Sequence, residues 1–274
     1  PGPSRSDPAG CGSHQPASTR MTTLARRPFG VFASTLMGLI AVVGFWPTYF
    51  GPLVRGTLSQ PLLIHIHTVV FVGWLVLFLT QVVLAATGHV QWHMRLGRFG
   101  IGYGVLVVVV GLVTGVSRSA ERVMAGKSAN ALLLDVTFAM TLFSLFFGAA
   151  IVFRRRARLH RRLMVIAATM LLVAAAGRMR FLPTVPLFLA VWASPILLAL
   201  AYDYRKEGRL HSAYLLGLAA ILVRGYAPPL IVHTSTWTAV IRSRWGSTMK
   251  AWERRQRPLR PERRESASNS GPRP

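Results

Sequence analysis

The sequence is poor in charged residues and in cysteine. Of its 274 residues only 15% are charged, whereas soluble domains usually carry about 25%. Cys11 is the single cysteine, which excludes disulfide bonds within the chain and any zinc or iron–sulfur site built from several cysteines. HExxH, GxSxG and Walker A motifs are also missing, so the chain carries no signature of a zinc protease, a serine hydrolase or a P-loop nucleotide site.

Acidic residues are scarce as well. The chain has 8 Asp and Glu against 32 Lys and Arg, which gives a net charge of +24. Strong positive charge is one mark of nucleic-acid binding, but here the basic residues cluster at the two ends and in short turns between long uncharged stretches. This distribution is typical of a membrane protein with basic cytoplasmic turns. Because no soluble basic domain is present, we do not expect nucleic acid as a partner.

Seven apolar stretches approach the length of about 20 residues that a transmembrane helix requires. They cover residues 29–50, 62–86, 101–116, 131–153, 163–177, 185–202 and 213–233. Arg26 and Arg27 precede the first stretch, and the turns after the second, fourth and sixth stretches are basic, so the positive-inside rule predicts a cytoplasmic N-terminus. We predict an all-α, multi-pass bundle of about seven spans in the lipid bilayer, with spans two to five forming a four-helix core.

The two ends of the chain differ in composition from its centre. Residues 1–28 are a basic leader predicted to be disordered, and residues 1–20 are expected to be an extension before a natural start at Met21. Residues 29–236 form the predicted transmembrane domain. In the basic tail, 237–274, apolar residues recur at helical spacing as far as residue 252. This pattern indicates either an interfacial helix followed by disorder or a coincidence in a disordered tail.

Two charged residues lie within the predicted spans. Asp135 is near the outer end of the fourth span, and Arg224 is near the middle of the seventh. Charges within a membrane are unfavourable unless they pair, and they often mark function. We therefore expect Asp135 to pair with Arg224, or with Arg178 or Arg180 after the fifth span. Such a pair either fixes helix packing, the interpretation that we favour, or belongs to a proton relay.

The second span has a regular aromatic face. His67, Phe71, Trp74, Phe78 and Gln81 follow one another at steps of four, three, four and three residues, so all five lie on one stripe of a helix. His67, Trp74 and Gln81 on such a face could line a flat cofactor or a quinone. Aromatic residues at helical spacing are more often plain packing, and that alternative is favoured. On the third span, one face carries Gly100, Gly104, Gly111 and Gly115, which predicts close helix contact.

The histidines of the predicted domain sort by depth. His93 and His160 lie near the inner surface, and His67 and His233 lie near the outer surface. A bis-histidine haem b site needs one histidine from each of two helices at matching depth. His93 with His160 meets that condition as the two ligands of a haem iron, and His67 with His233 meets it on the outer side. The alternative is that these histidines simply reach toward the lipid headgroups.

The segments His93-Met94-Arg95-Leu96-Gly97 and His160-Arg161-Arg162-Leu163-Met164, with the aromatic face before them, resemble a group of bacterial multi-span membrane proteins of unknown function. Members carry His-Arg-Arg-Leu-Gly after one hairpin span and His-(Lys/Arg)-Arg-Leu-Met after another, and Met94 departs from that pattern. The resemblance covers about residues 45–235 and implies a fold and a bacterial inner-membrane location, not an activity. A more distant likeness, resting on histidine placement alone, is to b-type cytochrome-like proteins or proteins linked to oxidase assembly.

These observations support two hypotheses of function. The first is electron transfer linked to haem b or quinone, with His93 and His160 as inner ligands, His67 on the outer side, and a quinone or a redox or oxidase complex as partner. The second is a non-enzymatic transporter or membrane-complex assembly factor, with Asp135 and Arg224 as its central polar pair. The sequence leaves the substrate, the redox partner and the oligomeric state open.

Overall fold

A computed structural model describes residues 28–125 and 130–232, with residues 234, 239 and 243 in isolation. These residues form helices and no strand, which confirms the all-α prediction. His233 and the predicted tail helix lie outside the described residues. The described α-helices are α1 (Pro28–Phe45), α2 (Gly51–Val54), α3 (Leu62–Ala86), α4 (Val90–Met124), α5 (Asn130–Val152), α6 (Ala157–Met170), α7 (Val173–Ala176), α8 (Val185–Glu207) and α9 (Ser212–Val232).

By length and composition, six helical segments of the described chain are able to cross a membrane. The first joins α1 to α2 through a π-helical turn, Trp46–Phe50, and the fifth joins α6 to α7. The seventh predicted span corresponds to α9, whose apolar part, Ser212–Ala227, is shorter than the other six. The protein is therefore a multi-pass helical membrane protein with six candidate spans and a shorter seventh apolar helix.

Two helices begin earlier than the predicted spans. We predicted a third span over 101–116 and a fifth over 163–177, but α4 begins at Val90 and α6 begins at Ala157. The two basic segments that look like turns in the sequence are thus the first turns of helices. The physical reason is that Arg is a good helix former, so the helix continues past the apolar stretch into the polar boundary of the membrane. Hydropathy locates the apolar part of a helix, but it does not locate the residue at which the helix begins.

The centre of the bundle is the fifth span. In its most apolar 18-residue stretch, two thirds of the span is buried, whereas the buried share of the corresponding stretch of α3 is about a sixth. Helix α6 packs against α5, α8, α9 and α1, so the fifth span also has neighbours outside the four-helix core that we predicted for spans two to five. The fifth span is interrupted at Leu171 and Leu172, where the backbone N–H groups bond three residues back instead of four.

The glycines of α4 allow close packing, as predicted. A Cβ on Gly104 would lie 2.4 Å from the ring of Phe147, and one on Gly115 would lie 2.5 Å from Val136. Both neighbours belong to α5. Contact between α4 and α5 joins the α3–α4 hairpin to the α5–α6 hairpin. This contact places the first turns of α4 and α6 at the same end of the bundle, together with the turn between α8 and α9. We call this the arginine-rich end.

Candidate functional site at the arginine-rich end

Two histidines from separate hairpins meet at the arginine-rich end. His93 is the fourth residue of α4, and His160 is the fourth residue of α6. Their ring centres are 6.5 Å apart, and the ring planes are nearly perpendicular, at 82°. Both side chains are half-buried. The structure thus brings together the two residues that matching depth singled out.

Each of these histidines is held by the helix that precedes it. His93 Nδ1 lies 3.2 Å from the carbonyl oxygen of Gln81 in α3, and His160 Nδ1 lies 2.8 Å from that of Ala150 in α5. A carbonyl only accepts hydrogen bonds, so Nδ1 carries the proton and donates in both rings. In the neutral imidazole the other nitrogen, Nε2, is then unprotonated. In that tautomer, each ring can bind a metal through Nε2.

The donor set fits a haem iron. Two neutral imidazoles from separate helices are a ligand set that b-type haem sites use. Here the two rings come from α4 and α6, with ring centres 6.5 Å apart. Histidines that bind metals usually donate their second N–H to a carbonyl or carboxylate, as both rings do here. Gln81 adds a buried side-chain oxygen without a hydrogen-bond partner in the described structure.

The aromatic face of α3 packs against α5. Trp74 is buried edge-on against Phe143 and Phe147, with ring centres 5.2 and 5.4 Å away. At its outer end His67 stacks on Phe71 with ring centres 4.1 Å apart. The middle of the face is therefore packing, the alternative that the spacing favoured. Three polar atoms of the face nonetheless have no partner in the described structure: His67 Nδ1, Trp74 Nε1 and Gln81 Oε1.

Asp135 and Arg224 form an ion pair at the opposite end of the bundle, as expected. The Arg224 guanidinium contacts the Asp135 carboxylate through Nη2. The arginine side chain is only 6% exposed, whereas the carboxylate is 47% exposed. Arg224 Nε has no partner in the described structure. Arg178 was an alternative partner for Asp135, but its guanidinium carbon lies over the Phe45 ring, 4.7 Å from the ring centre. The outer histidine pair cannot be placed, since His233 lies outside the described residues.

Sequence reasoning missed an ion-pair network beside the histidine pair. Arg162 Nε donates to the Asp203 carboxylate at 2.8 Å, and its Nη2 donates to Glu207 at 3.1 Å. Arg161 also donates to Asp203, at 3.0 Å. Asp203 accepts a further bond from the Tyr214 hydroxyl at 3.2 Å. The side chains of Arg162 and Asp203 are 7% and 3% exposed, so this pair is withdrawn from water.

A signal for this network is present in the sequence. Asp203, Glu207 and His211 follow at steps of four and therefore share one side of α8 and its C-terminal turn. Their ligand atoms lie within 4.8 Å of one another, the spacing of a metal site. However, Arg162 already contacts both carboxylates, and the His211 imidazole bonds to Glu207 at 2.7 Å. The guanidinium supplies the positive charge that a metal ion would bring, so the cluster is an ion-pair network.

Comparisons with protein-family models, with curated proteins and with solved structures find no match for this chain.

Proposed function

We propose that the protein is an electron-transfer protein of a bacterial inner membrane that binds haem b between His93 and His160. The arginine-rich end faces the cytoplasm, in keeping with the positive-inside rule. The observation that carries the proposal is the matched pair of histidines, each with Nδ1 within hydrogen-bond distance of a backbone carbonyl, an arrangement that leaves Nε2 free of that bond. A quinone or a redox or oxidase complex would be its electron partner.

The residues of the chain have distinct tasks in this proposal. His93 and His160 would hold the iron through Nε2, one from each hairpin. The carbonyls of Gln81 and Ala150 orient the two rings and raise their basicity as ligands. Haem b would supply reversible one-electron oxidation and reduction. Because the two ligands come from different hairpins, binding would also tie α4 to α6.

The test is an absorption spectrum of the detergent-purified full chain, expressed with haem supplied, in oxidised and dithionite-reduced forms. We expect Soret and sharp α bands in the wild type and their loss in His93→Ala and in His160→Ala. His89→Ala is the matched control, because His89 lies at the same end but bonds to Thr87. A folded wild type without a Soret band, or bands that persist in both variants, would contradict the proposal.

The Asp135–Arg224 pair supports a second candidate, a membrane transporter with a proton relay. The pair combines a buried guanidinium with a carboxylate side chain that is nearly half exposed, so the carboxylate is the more accessible partner. Intramembrane ion pairs of this kind also occur as purely structural contacts.

Proton flux into proteoliposomes distinguishes these roles. Asp135→Asn with Arg224→Gln removes both charges and leaves no unpaired ion. The control is Arg118→Gln with Glu121→Gln, which removes the exposed pair at 2.5 Å on α4. Loss of flux in the first variant alone supports transport. Equal flux in both variants and the wild type leaves the pair with a structural role.

A further inference from the structure

An open cavity lies at the N-terminal end of α6. Its volume is about 460 Å³, and its walls are formed by Arg156, Ala157, Arg158, Leu159 and Arg162. It is a shallow depression, because all five of these residues lie at the beginning of one helix. The cavity is separate from the histidine pair and plays no part in the proposed electron transfer.

The walls of the cavity are strongly basic. Six arginines and no acidic residue lie between positions 153 and 162. Arg161 and Arg162 are balanced by Asp203 and Glu207. Arg156 and Arg158 contact no carboxylate within the described part of the chain, and both are exposed. Two uncompensated positive charges therefore face the cavity, and a ligand that fits must be an anion.

The surroundings of the cavity are apolar on the membrane side. Val152, the last residue of α5, is 72% exposed, and Phe153 beside it is 38% exposed. The Arg156 guanidinium lies 5.7 Å from the centre of the Phe153 ring, so the basic wall and the exposed apolar surface are neighbours, which suits a ligand that joins a phosphate to hydrocarbon. Basic pockets at the cytoplasmic ends of membrane helices commonly receive anionic lipid headgroups.

We propose that this cavity binds the phosphate headgroup of an anionic phospholipid of the inner leaflet. Arg156 and Arg158 bind the phosphate. Arg162 forms the floor of the site and is held in place by its own ion pairs. The unpaired backbone N–H groups of the first turn of α6 add a weaker attraction for the same charge. The acyl chains would lie along Val152 and Phe153.

The experiment is a native mass spectrometry titration of the full chain with short-chain phosphatidylglycerol, and with phosphatidylcholine for comparison. The pocket variant is Arg156→Gln with Arg158→Gln. The matched control is Arg205→Gln with Arg209→Gln, which removes the same charge from the same end outside the cavity. We expect preference for phosphatidylglycerol in the wild type. Affinity should be roughly thirtyfold weaker in the pocket variant, as for two interfacial arginines, and much less affected in the control.

Three outcomes would overturn the proposal. One is equal weakening by both double variants, which would indicate diffuse attraction to the basic surface. Another is equal binding of the two lipids by the wild type. The third is displacement of the lipid by inorganic phosphate at the same concentration, which would make the site one for free phosphate. Arg156→Lys with Arg158→Lys keeps the charge and is expected to retain most of the binding, which separates loss of charge from loss of folding.

Discussion

The hairpins α3–α4 and α5–α6 are built on the same plan but differ in burial. Each has a histidine at the fourth position of its second helix, bonded through Nδ1 to a carbonyl of its first helix. The arginines two residues later differ. Arg95 is exposed and lies 5.4 Å from the ring centre of Trp92, whereas Arg162 is buried between two carboxylates. The shared motif closes a hairpin, and the neighbouring helix α8 decides whether its arginine becomes part of the core.

The largest expected difference between the hairpins concerns these arginines. Arg162→Gln should destabilise the protein by about 3 kcal/mol, because it leaves Asp203 buried with much of its charge uncompensated. Arg95→Gln should change stability by less than about 0.5 kcal/mol, since its side chain faces solvent. The free energy of unfolding in mixed detergent micelles measures both. Equal losses would mean that the two hairpins do not differ in the way described.

A second contrast concerns two buried tryptophans. Trp192 Nε1 donates to the carbonyl of Thr169 at 2.8 Å, next to the interruption of the fifth span. Trp192→Phe should therefore cost about 1.5 kcal/mol of stability by removing this hydrogen bond, although the carbonyl keeps its bond from the Leu172 N–H. Trp74 Nε1 has no partner in the described structure, so Trp74→Phe should lose only the packing of the larger ring and cost less than Trp192→Phe in the same assay. A comparable loss for Trp74→Phe would indicate a bound partner on the α3 face.

The contact between the hairpins is tested by glycine substitution on α4. Gly104→Ala brings a methyl group within 2.4 Å of the Phe147 ring and should destabilise by about 1–2 kcal/mol through overpacking. Gly102 has no atom within 4 Å of the equivalent position. Gly102→Ala is thus the matched control and should be neutral or stabilising by up to about 1 kcal/mol. Similar unfolding free energies for the two variants would argue against close contact at Gly104.

The smallest expected effect concerns the feature that the two hairpins share, a histidine bonded to a backbone carbonyl. Without haem, His93→Ala and His160→Ala each remove one hydrogen bond to a carbonyl, so each should cost about 0.5–1.5 kcal/mol. The two losses should be similar, in contrast to those of the two arginines. Unfolding of haem-free protein provides the measurement. A much larger loss for His160→Ala alone would show that the histidines also differ in structural importance.

Much of the fold was predictable, because a long apolar stretch of sequence predicts a membrane helix. Helix α3 runs from Leu62 to Ala86, the predicted bounds, since it is apolar along its whole length. The beginnings of α4 and α6 were missed because arginines continue the helix beyond the apolar stretch. The pairing of Asp135 with Arg224 was also predictable, because few charges lie within the spans and each needs a partner.

The network around Asp203 was not predicted for a different reason. Arg205, Lys206 and Arg209 mark that turn as basic, and a count of net charge conceals the two acids beside them, Asp203 and Glu207. Whether Asp203 meets Arg162 depends on which side of α8 faces α6, and this is set by packing over the whole bundle. The four acidic residues of the described chain, Glu121, Asp135, Asp203 and Glu207, all contact an arginine. A search for partners of each acid would have found the network.

The distance along the chain between buried partners sets an order of events during synthesis. Arg162 precedes Asp203 by 41 residues, and Asp135 precedes Arg224 by 89. At a synthesis rate of about 5–20 residues per second, Asp203 is added roughly 2–8 s after Arg162. Arg224 is added roughly 4–18 s after Asp135. The central helix of the bundle can therefore settle only after α8 has been made, and a nascent chain that stops earlier carries a charge in its core with no counterion.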